Sequence, residues 1–371
     1  MAQDLPQEIV DLIVGEFRLD DPIDKHTLIQ CGFVCKSWHR PSRYGLFANV
    51  KLTDRTVEPF LDIVNNSIVP IAMAVRSLTL SLEGEPADAS RIAGGEGAWG
   101  LDGILRKLGP LPLVTALRVC VKEDVLLWNL TLLADTFSNV STLVFSNVTL
   151  RMGSLLSAVC AFPLLRRLEL DRVRSFHDNP GSLEVAYHFP SQWNSLTVMS
   201  FDVSELLETF LTLKPIPVLS ALSLSAETDP TKPGLGRYLF HIGDALHILR
   251  LEFESSPFEQ DNLVILVPCT GLRRLDLVFQ EDCDLDMATT ALQALSCFRS
   301  RDLAIVNLLD KRHRRNMTPR WRRLDTKLTE EQFAGLQAFT VESKSPSLVA
   351  GLPRNMPLST GRGILRVVDP R

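Results

Sequence analysis

Leu165-Arg166-Arg167-Leu168-Glu169-Leu170 is the stretch that decides the fold. Its apolar residues stand at the first, fourth and sixth positions. Leu168 and Leu170 therefore share one face of an extended segment, while Arg167, Glu169 and Asp171 take the other. The same spacing recurs upstream as Val75/Leu78/Leu80, Val114/Leu117/Val119 and Val140/Leu143/Phe145. Downstream it returns as Leu196/Met199/Phe201, Leu219/Leu222/Leu224, Leu246/Leu249/Leu251, Leu272/Leu275/Leu277 and Leu336/Phe339/Val341. Weaker copies stand at Leu303/Ile305 and Leu365/Val367, where Ser300 and Arg362 replace the first apolar residue. Eleven central positions run from Leu78 to Leu365 with a step near 26 residues.

Between these phrases lie helix-like apolar stretches such as Leu155-Leu156-Ser157-Ala158-Val159-Cys160, closed by Phe162-Pro163. Proline after a last turn stops a helix and feeds an extended segment, and Phe189-Pro190 repeats that punctuation. A strand plus a helix every 20–29 residues is the period of a leucine-rich-repeat solenoid, in which neighbours bury each other's apolar faces. A doubly wound α/β domain also alternates strands and helices. It favours runs of Val and Ile over a recurring phrase. The expected fold class is α/β: a leucine-rich-repeat solenoid of about eleven strand–helix units over residues 51–371, with insertions near 83–100 and 308–328.

Apolar residues make up 45% of the 371 and charged ones 22%, the balance of a folded chain. A net charge of −5 argues against a chain whose whole surface binds nucleic acid. The opening Met1-Ala2-Gln3-Asp4 has no basic segment followed by an apolar one, so no signal peptide is expected. No apolar run is long enough for a spanning helix, so no membrane is expected. Seven scattered cysteines without a CxxC pair predict neither a disulfide framework nor a thiolate zinc site. The expected compartment is the cytoplasm or the nucleus.

Residues 1–50 carry no copy of the phrase and read as helical. Asp4 is a candidate N-cap, with Pro6 in the first turn and Gln7 three residues on. Ile9, Leu12, Ile13 and Phe17 follow at helical spacing. A break at Asp20-Asp21-Pro22 precedes a second helix through Leu28 and Cys31, and a third begins around Val34-Cys35-Lys36-Ser37-Trp38.

Leu5-Pro6-x-Glu8-Ile9-x-x-x-Ile13, followed by Leu28-x-x-Cys31-x-x-Val34-Cys35-Lys36-Ser37-Trp38, resembles an F-box. The trailing Ser42-Arg43-Tyr44-x-Leu46-Phe47-x-x-Val50 is similar to the F-box ends of large fungal families. The segment from Arg18 to His26 departs from the pattern by being longer and more acidic. The resemblance implies a three-helix module, residues 1–50, that docks the SKP-family adaptor of cullin–RING ubiquitin ligases. By position it implies an adaptor surface of Leu5, Pro6, Ile9 and Ile13, supplied or supported further by Leu28, Val34, Cys35 and Trp38. Physical reasoning agrees, because fifty residues cannot bury so many apolar groups internally. The module could also simply cap the solenoid end.

Sites for chemistry are scarce in the sequence. Gly95-Glu96-Gly97-Ala98-Trp99-Gly100 is a GxGxxG, but a dozen residues separate it from the strand-like segment 75–82. A pyrophosphate site needs those glycines at the strand end. No GxxxxGK[ST], HExxH or GxSxG occurs, and the seven histidines show no metal-ligand spacing. The expectation is no catalytic residue, no metal and no cofactor. Lys311-Arg312-His313-Arg314-Arg315 and Arg320-Trp321-Arg322-Arg323 read either as an import signal or as a solvated loop.

Outward positions beside the strand leucines include Arg167, Glu169, Asp171, Asp202, Arg250, Glu252, Arg274 and Asp276. On stacked strands they would form a mixed-charge stripe for a target protein. The reading that joins these parts is a substrate-receptor subunit of an SCF-type ubiquitin ligase, reaching cullin and RING subunits through the adaptor. A non-ligase interaction scaffold, and an oxidoreductase resting on Gly95–Gly100 alone, are its rivals.

Overall fold

The structure is a computed structural model that describes residues 5–17, 21–53, 55–67, 70–82, 101–108, 111–121, 126–127, 130–176, 187–199, 203–225, 233–253, 266–281, 283, 285–312 and 320–369. Two compact units divide the chain: Met1–Leu168 with Val173–Leu183 and Phe189–Gln192, and Glu169–Arg172 with Glu184–His188 and Trp193–Arg371.

Helices α1 (Gln7–Gly15), α2 (Pro22–Cys31) and α3 (Lys36–Phe47) open the first unit. Strand β1 (Asn49–Thr53), α4 (Val57–Asn66), β2 (Ser77–Leu82), α5 (Leu101–Leu108) and β3 (Ala116–Val121) come next. They are followed by β4 (Leu126–Leu127), α6 (Thr131–Thr136), β5 (Thr142–Ser146), β6 (Thr149–Arg151), α7 (Met152–Ala161), β7 (Arg167–Asp171) and β8 (Arg174–Phe176), residues 169–171 of β7 being assigned to the second unit. Strands β1, β2, β3, β5 and β7 lie side by side in chain order, and β4, β6 and β8 form a small second sheet.

The second unit holds β9 (Ser195–Met199), α8 (Val203–Thr212), β10 (Ala221–Ser225), α9 (Pro233–Ile242), β11 (Ile248–Phe253) and β12 (Arg274–Phe279). It continues with α10 (Met287–Cys297), β13 (Ile305–Asp310), α11 (Arg320–Lys327), β14 (Ala338–Ser343), α12 (Pro346–Asn355), α13 (Pro357–Gly361) and β15 (Leu365–Val368). Its seven strands also follow chain order, and every described pairing in either unit is parallel. The chain is thus α/β, with twelve strands in its long parallel sheet and thirteen α-helices among the described residues, an arrangement compatible with a solenoid.

Register explains the leucines. In the first unit Leu78, Leu117 and Leu143 form one buried row and Leu80, Val119 and Phe145 the next. In the second, Leu196, Leu222, Leu249, Leu275, Val306 and Phe339 align, beside Val198, Leu224, Leu251, Leu277, Leu308 and Val341. Each fully buried Leu or Phe is worth about 1.5–3 kcal/mol relative to exposure, so a slip of one residue would turn the whole row to solvent.

The turns before the strands are stitched as well. The Ala48 carbonyl accepts from Arg76 N and Ser77 N, Arg76 O from Thr115 N and Ala116 N, and Thr115 O from Ser141 N and Thr142 N. Asn194, Ser220, His247, Arg273 and Ala304 each receive two consecutive amides in the same way.

Three expectations need correction. The apolar triplet at β9 is Trp193/Leu196/Val198, and that at β13 is Leu303/Val306/Leu308, each three residues from the phrase read in the sequence. Both alternatives fit the spacing, and pairing with Leu222 and Leu275 selects between them. The third concerns residues 49–53, which form a strand in register with β2, so the sheet starts inside the segment read as wholly helical. Val50 and Leu52 thereby add a twelfth strand to the expected eleven. Within 308–328, Leu308–Asp310 complete β13 and Arg320–Lys327 form α11. Residues 83–100 lie outside the described residues.

Candidate functional site

The three N-terminal helices close on a small core of Val10, Val14 and Leu28, against which Phe17, Trp38 and Leu46 pack. Local chemistry sets their starts. The Pro6 carbonyl accepts from Ile9 N and Val10 N, opening α1. Asp21 caps α2 by accepting from Ile23 N at 2.8 Å, with Pro22 in the first turn. The Cys35 carbonyl accepts from Trp38 N and His39 N at the head of α3. Gly45 lets α1 and α3 approach, since a methyl there would stand 3.3 Å from Val14 Cγ1. Asp4, the expected cap of α1, lies outside the described residues, and Pro6 occupies the cap position.

This core leaves a second apolar set in water. Helix α1 is apolar on two sides: Val10 and Val14 face inward, while Ile9, Leu12 and Ile13 are exposed. The single stripe of Ile9, Leu12, Ile13 and Phe17 expected from spacing is therefore mostly the outer face, because Val10 and Val14 are the residues that meet α2 and α3. Phe33 is 81% exposed and Val34 67%, in the turn between α2 and α3. The Gln7 side chain donates to the Ser37 carbonyl at 3.2 Å, so the starts of α1 and α3 adjoin.

Of the expected adaptor residues, Leu5, Pro6, Ile9, Ile13, Val34 and Cys35 are at the surface. Leu28 is fully buried and Trp38 half-buried, so these two hold the helices together and offer the surface little. Leu12, which the sequence set in the same helical stripe as Ile9 and Ile13 but not among the adaptor residues, is 65% exposed, and Phe33 is a further exposed apolar residue that the sequence reading did not single out.

The charged stripe divides into paired groups. Within the second unit, Arg250 grips Glu252 Oε1 through Nε at 2.8 Å and Nη2 at 2.6 Å, while Gln280 Nε2 donates to Oε2 at 2.7 Å. Arg274 Nε reaches Asp276 at 3.0 Å, and Asn307 Nδ2 donates to the same carboxylate at 2.6 Å. Glu252 and Asp276 are only 3% and 4% exposed, so their charges are satisfied within the chain and the arginines are what solvent meets. At β7, Arg167 is exposed while Glu169 and Asp171 are half-buried, Asp171 lying 3.5 Å from Arg172. Asp202 lies outside the described residues.

The basic run is also not one surface feature. Arg312 is buried: its Nε donates to Asp310 at 2.7 Å, its Nη1 to the Cys283 and Leu285 carbonyls, and it stacks over Phe279. In α11, Trp321, Leu324 and Asp325 are buried while Arg320, Arg322 and Arg323 face solvent. His313, Arg314 and Arg315 lie outside the described residues, as do Gly95, Gly97 and Gly100.

None of the seven cysteines, all of them among the described residues, is joined in a disulfide. Burial pushes the Cys269 thiol up to about 12, which keeps it protonated and unreactive at neutral pH. The buried Tyr238 hydroxyl is likewise pushed up by burial and donates to the Pro217 carbonyl at 2.8 Å. Among the described residues no group of three His, Cys, Asp or Glu side chains could hold a metal ion. Among them too, no helix is long and apolar enough to cross a membrane.

No protein-family model matches the chain, and no curated protein does so either. Among solved structures the chain is similar to a protein from Bacteroides fragilis, with 14% identity and a TM-score of 0.37 over 78% of this chain and 75% of that one.

Proposed function

We propose that this chain is a substrate-receptor subunit of an SCF-type cullin–RING ubiquitin ligase. The N-terminal helices would dock the SKP-family adaptor, and the repeat array would hold a target protein. The observation that carries the reading is the exposure of Leu5, Pro6, Ile9, Ile13 and Val34 on a three-helix unit whose own core is complete without them. Exposed apolar groups in such a cluster mark partner sites, and these stand at the positions where the sequence resembles an F-box.

The contribution of the chain would be proximity rather than bond-making. Arg250 and Arg274, fixed by the buried carboxylates beside them, would meet acidic groups on the target. Cytoplasm and nucleus are the compartments that suit this reading.

Co-purification of the tagged full chain with adaptor and cullin tests it. Leu5→Ala/Pro6→Ala and Ile9→Asp/Ile13→Asp should each abolish adaptor recovery without lowering thermal stability, since these side chains are outside the core. Recovery equal to wild type would sink the docking claim and leave the non-ligase scaffold as the better account.

A further inference from the structure

We infer that the pocket formed by the turns leading into β2, β3, β5 and β7 binds a phosphate monoester carrying a short apolar arm. The pocket has a volume of about 450 Å³ and lies within the first unit. Its floor follows from the carbonyl–amide stitching, which sets Arg76, Thr115, Ser141 and Arg166 in one row across successive strands. Strand spacing separates the Arg76 and Arg166 backbones by about 14 Å, a gap that the two arginine side chains would close onto a single ligand by reaching toward each other.

The pocket has the electrostatics of an anion site. It is lined by Arg76 and Arg166, with Asn139 and Gln192 among its polar groups, and among the described residues by no acidic one. Each guanidinium is held by one neutral acceptor. Arg166 Nε donates to Gln192 Oε1 at 2.9 Å, and Arg76 Nη1 to the Met73 carbonyl at 2.9 Å. Each therefore keeps further N–H donors beyond the bond that orients it, the preorganised state in which arginine binds oxyanions.

The hydroxyls between them are directed elsewhere: Thr115 donates to the Arg76 carbonyl at 3.3 Å and Ser141 to the Thr115 carbonyl at 3.2 Å. Recognition thus falls to two cations, which match a phosphoryl group of about −1.5 to −2 better than a single carboxylate. Leu113 and Leu164 line the same pocket, Leu164 being 40% exposed. An apolar arm next to the phosphate would cover it.

This inference does not rest on the ligase reading. Calorimetric titration of the full chain with phenyl phosphate, inorganic phosphate and benzoate tests it. Phenyl phosphate should bind several-fold more tightly than inorganic phosphate, and benzoate more weakly still. Arg76→Gln and Arg166→Gln should each weaken phenyl phosphate about ten-fold, one charge-assisted contact being lost in each. Leu164→Ala should weaken phenyl phosphate and leave inorganic phosphate alone. Melting temperatures close to wild type would show that the variants fold, and Arg237→Gln, at an exposed arginine of the second unit, should leave phenyl phosphate binding as in wild type. The proposal is overturned by the absence of heat at millimolar phenyl phosphate, or by binding that both pocket arginine variants retain in full. Inorganic phosphate binding as tightly as phenyl phosphate would overturn the apolar arm and name the free ion as the ligand.

Discussion

Arg312→Leu should unfold the second unit at markedly lower urea than wild type. The side chains of Arg312 and Asp310 are 4% and 3% exposed and lie 2.7 Å apart. Asp310 also accepts from Arg312 N at 3.2 Å and faces Ser343 Oγ at 3.4 Å. Removing one member of a buried pair leaves the other charge without its counterion, at about 3–5 kcal/mol. The Cys283 and Leu285 carbonyls lose their donor in the same step, and each buried unsatisfied group costs about 1–3 kcal/mol.

These terms share one cavity and will not add fully, so a loss of about 3–5 kcal/mol is expected. Asp310→Val should cost a similar amount. The double variant Asp310→Val/Arg312→Leu should cost less than the two singles together, because no charge is then stranded. The assay is urea unfolding followed by fluorescence of the buried Trp321, at low salt and at high salt. A buried pair is screened little, so the cost of each single change should hold at both. Single losses below about 1 kcal/mol, or a double variant equal to their sum, would refute the reasoning that this pair is buried and coupled.

Two further outcomes follow from the same unit. Asp325 accepts from Leu358 N at 2.9 Å and Ser359 N at 2.8 Å at the start of α13, so Asp325→Ala should cost about 1–3 kcal/mol. Hydrogen exchange should then quicken in α13 and β15, and unchanged protection there would argue against the cap. Stability should also fall as pH rises above about 9. Below the ordinary value of 9.0 the Cys269 thiol is neutral folded or unfolded, whereas between there and about 12 only the unfolded chain gives up its proton. Tyr238 acts in the same direction at higher pH. Cys269→Ala should flatten the fall in urea midpoint between pH 9 and 11, and an unchanged slope would mean the thiol is accessible.

Some of the candidate site was legible without coordinates and some was not. The helix start at Asp21-Pro22 was readable because capping and proline act within a few residues. Which face of α1 packs was not. Ile9, Leu12 and Ile13 fit a helical stripe as well as Val10 and Val14 do, and only the positions of Leu28 and Trp38 decide between them.

The sequence alone determined the alternation of strand and helix, the parallel pairing in chain order and the positions of most strands. The phrase around Leu165–Leu170 is local, and its period of two along a strand leaves the leucines one face to occupy. Tertiary structure decided the rest. At β9 two triplets three residues apart are equally apolar, and at β13 the phrase beginning at Ser300 overlaps the one beginning at Leu303, so the strands alongside fixed both registers. Charge was equally undecided in the sequence: Glu252, Asp276 and Arg312 look solvent-facing by spacing, and become buried once Arg250, Arg274 and Asp310 pair with them. A charged side chain tolerates burial only where its counterion and its hydrogen bonds are already in place. For Arg312, two of those partners are the Cys283 and Leu285 carbonyls, 29 and 27 residues away along the chain.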